Sequence, residues 1–346
     1  MLLSRDTLPK TIADLAALDE LLCRPSRALI EDLKEVDGDI MVLGVGGKMG
    51  PTLARLAKRA APSKKVMGVA RFSEAGVREA LVTAGVEPIS ADLLDRAQLE
   101  KLPKAANVVF MAGRKFGATG NVPLTWAMNV QVPAMVAEVF KDSRIVAFST
   151  GCVYPFVPIE SGGATEDTPA GPPPGDYAWS CVGRERMLEY FSSRLGTPGR
   201  LVRLNYAIDM RYGVLHDIAA KVLAGQALDL TMGHVNVIWQ GDANAVALRC
   251  LARATRPTSP LNVTGPQTLS VRWLAAEFAR RFGRAQSLIG SEASTGWLNN
   301  ASRMVTEFGT PRVGIERMLD WTADWLSRGM PSHGKPTHYE VRDGRF

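Results

Sequence analysis

Between Asp39 and Tyr206 the chain alternates short apolar runs with amphipathic stretches, and this alternation limits the fold more than any other feature. DIMVLGV reads as a buried strand, and a Gly-rich turn joins it to PTLARLAKRA, whose apolar residues recur at helical spacing. KVMGVA, EPIS, NVVFMA and RIVAFST predict the second to fifth strands, and RLVRLNY the sixth, after the long amphipathic helix DYAWSCVGRERMLEYFSSRLG. Strands separated by helices pair in parallel and need cover on both faces. With right-handed crossovers, this predicts an α/β fold with a doubly wound parallel sheet. Residues 1–38 predict a helical extension, with Pro25 between two amphipathic segments. Residues 39–205 form the expected sheet domain, and 206–346 a smaller α/β region mainly for substrate, with 237–255 returning to the first domain. The Gly- and Pro-rich stretch 157–176 predicts a long surface loop.

Composition narrows the classes. At 46% apolar and 22% charged residues the chain is of globular type, and no apolar run is long enough for a membrane helix. Four scattered cysteines without CxxC spacing argue against a disulfide framework or a metal site, so a reducing, cytoplasmic setting is expected. The formal charge of +6 is spread among acids with no recognition motif, which disfavours nucleic acid as a partner.

The turn after the first strand is Gly44-Val-Gly46-Gly47-Lys48-Met49-Gly50. Glycines there allow a tight turn and close approach of the backbone to a pyrophosphate, and the following helix N-terminus favours negative charge. A dinucleotide site is therefore expected, with Gly44, Gly47, Lys48, Met49 and Gly50 at the phosphates. NAD sites usually carry a carboxylate at the end of the second strand to bond the ribose. Here the chain reads Val69-Ala70-Arg71. Arg71 could clamp a 2′-phosphate, the alternative being a solvated surface arginine; NADP is expected, with NAD as second choice.

Several further segments, in order, resemble the extended short-chain dehydrogenase/reductase family, the NAD-dependent epimerase/dehydratase group. Gly44, Gly47 and Gly50 resemble its GxxGxxG, and Asp92-Leu93 the Asp-Leu pair beside the adenine. Met111-Ala112-Gly113 is similar to its small-residue stretch along the cofactor, and Asn129-Val130 to its helix Asn. SerThrGlyCysValTyr at 149–154 resembles the segment ending the fifth strand, and Asn205 and LNVTGPQTLSV resemble later motifs. The resemblance spans about residues 39–285 and implies a homodimer and a small, carbohydrate-like substrate. It also implies roles: Tyr177 as acid/base, Thr150 bonding the reacting oxygen, and Asn129 holding the helix or a relay water.

One departure stands out. The family's Tyr-x-x-x-Lys reads Tyr177-Ala-Trp-Ser-Cys181, while Ser180 and Glu185 keep the register. Bringing a phenol from near 10 to about 7 takes on the order of 4 kcal/mol, which a neutral thiol does not provide. Lys115, in the loop after the fourth strand, is the expected surrogate. Arg184 lies about 10 Å along the helix from Tyr177, too far by axial rise for a simple exchange. Cys181 itself is tolerated filler in a working enzyme, the mark of a silent cofactor-binding protein, or a reactive thiol.

On the substrate side, the Asp-Glu pair of the family's dehydratases is replaced by Gly151-Cys152, which disfavours dehydration. The Arg that commonly anchors a nucleotide diphosphate reads Val235. Lys115, Thr150, Cys152, Asn205, His234 and Trp239 are the expected substrate contacts, although a lone His or Trp is more often core. Together these features predict an NADP(H)-dependent oxidoreductase or epimerase acting by hydride transfer, the alternative being a catalytically silent NADP-binding regulator.

Overall fold

The structure, a computed structural model, describes residues 2–115, 117–118 and 120–343. Seven strands form one parallel sheet: β1 (Ile40–Leu43), β2 (Val66–Ala70), β3 (Glu87–Ser90), β4 (Asn107–Phe110), β5 (Arg144–Thr150), β6 (Gly199–Leu204) and β7 (Ser259–Val263). Their order is β7-β6-β5-β4-β1-β2-β3. In β1 all four residues are buried, as a strand covered on both faces requires. Leu43 at its end pairs with Val69 of β2 on one side and Phe110 of β4 on the other. The direction of winding reverses between β1 and β4, which opens a crevice at the carboxyl ends of these strands.

Helices cover both faces. Leu53, Leu56 and Ala57 pack with Leu29, Leu33, Ala243 and Ala247 against one face, and Leu99, Val132, Val136 and Leu188 cover the other. A second core, around Trp239, Trp321 and Trp325, joins helices Val214–Leu223, Val271–Phe282 and Ile315–Ser327. The N-terminal helices are not a detached preface. Asp14 caps helix Leu15–Leu22 through the Ala17 N–H (2.8 Å), and Ser26 caps Arg27–Lys34 through that of Leu29 (3.2 Å). Leu18, Leu21 and Leu22 then enter the second core, while Leu29 and Leu33 enter the first.

Two features differ from the strand pattern read in the sequence. β7 adds a seventh strand beyond β6, with Leu261 opposite Val202. The stretch 157–176 is largely loop, but Val157–Pro158 pairs with Thr295–Gly296 and Ala164 bridges to Asn299, so it is tied to the C-terminal region.

Candidate active site

The turn after β1 is shaped by what its glycines lack. Gly44 has φ +88°, and a Cβ there would stand 2.5 Å from the Ala112 nitrogen. A Cβ on Gly50 would overlap the Val45 carbonyl. The backbone thus lies directly against the chain after β4, and helix Gly50–Ala60, with Pro in its first turn, starts at the crevice. Gly44, Gly46 and Gly47 line a cleft there, with Ala112 and Gly113 opposite and Asp92 and Leu93 further along. A cradle that side chains would fill, at a helix N-terminus, fits a pyrophosphate, and the cleft runs from it past Arg71 to Asp92 and Leu93. Arg71 is exposed on its rim and makes no ion pair among the described residues; Glu74 lines the same rim.

Lys48 and Met49 are corrected in one respect: their side chains do not line this cleft. Lys48 Nζ donates to the Ala207 carbonyl (3.4 Å) and stands 4.0 Å from the Tyr212 ring centre, while Met49 packs into the sheet core. Burial pulls the Lys48 ammonium down to about 8, with Asp209 opposing. These two residues offer the cleft only backbone.

Asn129 is fully buried in a single π-helical turn, Ala127–Gln131. Its Oδ1 accepts from the Arg114 N–H and from Arg184 Nη2 (2.8 Å each), and its Nδ2 donates to the Arg114 carbonyl (3.0 Å) and Ser180 Oγ (2.9 Å). The amide's capacity is used up. Asn129 therefore clamps the loop after β4 to helix Asp176–Leu195, and its side-chain amide has no bond left over for a relay water.

Tyr177 begins that helix, and Thr150 at the end of β5 lies close enough to its hydroxyl to favour the ionised phenol. Thr150 Oγ1 also accepts from the Cys152 N–H (3.2 Å), and the Cys181 thiol meets Tyr177 one turn on. Lys115 Nζ stands 5.9 Å from the Tyr177 ring centre and 3.4 Å from the Thr337 carbonyl. Tyr177, Thr150, Cys152, Cys181 and Lys115 thus converge. Burial pushes the Tyr177 phenol well above its ordinary value; Cys181 and Cys152 add to this, and Arg184 and Thr150 oppose it. Burial likewise pushes the Cys181 thiol up to about 11 and the Lys115 ammonium down. A thiol so protonated is a poor nucleophile near neutral pH, which weighs against the reactive-thiol option.

The expected substrate residues separate. Asn205 is buried and donates to the Trp297 carbonyl (3.2 Å) and Asn299 Oδ1 (3.3 Å), bracing the loop behind Gly151. Trp239 is a correction: it is fully buried against Trp321, ring centres 5.4 Å apart, in the second core. His234 pairs with Ser270 in a short strand, and its buried Nδ1 has no hydrogen-bond partner. Among the described residues no cluster of His, Cys, Asp or Glu could hold a metal ion, and no helix is long and apolar enough to cross a membrane.

Two participants escaped the sequence pattern. Arg184 folds back along its helix as long helical side chains do. Its guanidinium reaches the Phe148 carbonyl (2.7 Å) and Asn129, so axial rise between Cα atoms underrates its reach. The C-terminal segment also returns to the site: Thr337, besides meeting Lys115, is fixed by Asp217 Oδ2 through its N–H (2.8 Å) and hydroxyl (2.6 Å). Neither contact has a local sequence signal.

A search of curated protein sequences returned no match. Solved structures of similar fold include MoeE5 in complex with UDP-glucose and NAD, at 19% identity and TM-score 0.67, covering 84% of this chain and 99% of that one. The UDP-glucose 4-epimerase of Thermus thermophilus, in complex with NAD, gives the same four values. DesIV, a dTDP-glucose 4,6-dehydratase from Streptomyces venezuelae with NAD and TYD bound, has 19% identity and TM-score 0.70, covering 84% of this chain and 97% of that one. At such identities the likeness is one of fold. The sequence model of the NAD dependent epimerase/dehydratase family matches residues 40–242, more than half of the chain. The chain belongs to the NAD dependent epimerase/dehydratase family.

Proposed function

We propose that this protein is an oxidoreductase or epimerase that binds NADP(H), with NAD as second choice, and acts on a hydroxyl or carbonyl of a sugar-like substrate. The bound dinucleotide supplies reversible hydride exchange with a carbinol carbon. The observation that carries the proposal is the convergence of Tyr177 and Thr150, with the Lys115 ammonium 5.9 Å from the Tyr177 ring centre. Gly44, Gly47 and Gly50, with the backbone of Lys48 and Met49, cradle the pyrophosphate. Ala112 and Gly113 form the wall opposite, and Asp92 and Leu93 take the adenine end. Tyr177 gives or takes the proton of the reacting oxygen and Thr150 orients that oxygen. Burial keeps the phenol protonated near neutral pH, which suits donation to a carbonyl oxygen directly. The opposite direction needs a cation near the phenol, and Lys115 is within reach.

Arg71 supports NADP, since no carboxylate follows β2 directly; the NAD in the similar structures supports the second choice. Those structures hold or are named for sugar nucleotides, which supports a nucleotide-linked substrate, whereas Val235 in place of the usual arginine supports a simpler one. Gly151 and Cys152 supply no acid–base pair for dehydration. The buried Cys181 in the lysine's place favours a second reading, a silent NADP-binding regulator.

Thermal shift and calorimetric titration with NADP and NAD test the binding half, and binding of neither refutes it. Incubation with a panel of sugars and their keto forms, followed by absorbance of the reduced cofactor and by NMR of the products, tests the chemistry. Turnover selects the enzyme; tight binding with unchanged sugars throughout selects the regulator.

A further inference from the structure

Among the described residues three arginines are buried: Arg184, Arg200 and Arg203. Arg200 pairs with Glu307 at 3.0 Å and Arg203 with Glu185 at 2.7 Å. Arg184, only 6% exposed, has no carboxylate within ion-pair distance among the described residues. Its guanidinium is held by neutral oxygens: the Phe148 carbonyl (2.7 Å), Asn129 Oδ1 (2.8 Å) and the Asn129 carbonyl (3.4 Å). A buried charge without a counter-ion is costly, and carbonyl dipoles offset that cost only in part. Replacing it with an apolar residue would remove the cost altogether, so its position calls for another explanation.

Its surroundings supply one. Arg184 lies one turn after Cys181, on the same helix face. Its Nη2 is seated where a Cβ on Gly113 would be 2.5 Å away, so the glycine lining the cleft leaves room for the guanidinium directly behind the cleft wall. Asn129, which it grips, also holds Ser180, the residue before Cys181. We infer that Arg184 carries, from behind the cleft, the fixed positive charge that the family's lysine would carry from position 181, and so acts as a positioning residue for the proton held by Tyr177. Burial pushes both Tyr177 and Cys181 upward, with Cys152 adding to it at each, and Arg184 opposes it at each. Lys115 would then act from the substrate side, held by the Thr337 carbonyl, while the guanidinium is fixed by the Phe148 and Asn129 oxygens. This assignment rests on the proposed role of Tyr177.

The test reads the phenol itself, without cofactor. The protein is made with difluorotyrosine in place of tyrosine, which brings phenol ionisation into an accessible pH range. The 19F resonance of residue 177 is assigned by its loss in Y177F and followed against pH. In R184M the midpoint is expected to rise by about one pH unit, a tenfold loss of ionised phenol at fixed pH. R184K, which keeps a cation, should hold it near the wild-type value, and adding C181K to R184M should bring it back. A lysine at 181 lowers the midpoint by its own charge whatever Arg184 does, so charge and structure are separated by R184K against R184M. An unchanged midpoint in R184M, or a failure of C181K to restore it in a folded double variant, overturns the inference. If R184M does not fold, R184Q takes its place, and R184K shifting the midpoint by as much as a neutral residue overturns it too. Dinucleotide titrations of the same variants separate the two claims: a wild type that binds neither cofactor refutes the function while the phenol titration still decides the role of Arg184.

Discussion

The cleft after β1 and the corner around Tyr177 are built in different ways. The cleft is made of backbone: Gly44 and Gly50 have their places because any side chain would collide with Ala112 or Val45. The corner is made of side chains from three separate elements, β5, the loop after β4 and helix Asp176–Leu195, met by a backbone carbonyl of the C-terminal segment. Such a backbone site admits no side chain at Gly44 or Gly50 and keeps its spacing. A side-chain site can lose one member and take a charge from elsewhere, provided another group reaches the same space. That is the relation between Cys181 and the cations Lys115 and Arg184.

The sharpest way to break this contrast is Tyr177→Phe. If the corner does chemistry and the cleft does binding, turnover falls by about 10²–10⁴-fold while dinucleotide affinity changes by no more than about threefold; steady-state rates and calorimetry check the two halves. Gly44→Ala should do the reverse at its source. A Cβ at φ +88° against the Ala112 backbone should weaken dinucleotide binding by about 100-fold and lower the melting temperature, because the turn must open to accept it. Calorimetry on the folded variant distinguishes lost binding from lost fold.

A third test probes a charge with no part in either region. Burial raises the Asp242 carboxyl to about 6, against hydrogen bonds from the Val313 and Arg312 backbone. The folded protein then binds a proton more tightly than the unfolded chain. Its contribution is complete below about pH 4 and is lost as pH rises through about 6, at most about 3 kcal/mol. Asp242→Asn should flatten that part of the stability–pH curve in urea unfolding, leaving dinucleotide affinity unchanged. The smallest expected effect is Arg71→Ala, which should cost about tenfold in affinity for NADP and almost nothing for NAD. Equal losses for both cofactors would show that the rim arginine does not read the 2′-phosphate.

The same contrast explains what could be read from the sequence. The sheet and its glycine turn were legible because sterics and periodicity are local, and the family match over residues 40–242 agrees with them. β7 was not, because Pro260 and Asn262 break the apolar run; the edge of a sheet accepts a proline that an inner strand would reject. Trp239 was open to both substrate contact and core, and a large apolar ring finds more contact in the core beside Trp321. Lys48 sits on the phosphate turn, but the direction of its side chain is decided by Ala207 and Tyr212, far along the chain. Arg184 was discounted by counting rise along the axis, a measure that leaves out the length and backward tilt of the side chain.

The Thr337 carbonyl that receives Lys115 lies 222 residues further along the chain. On the ribosome, the sheet and its glycine turn are complete long before that residue is made. The nascent protein should therefore acquire a cofactor-shaped cleft first and the finished corner last, when the tail emerges and docks on Asp217. Any event that displaces this segment would act on that last step, taking the Thr337 carbonyl from Lys115 and the Tyr339 ring from the second core.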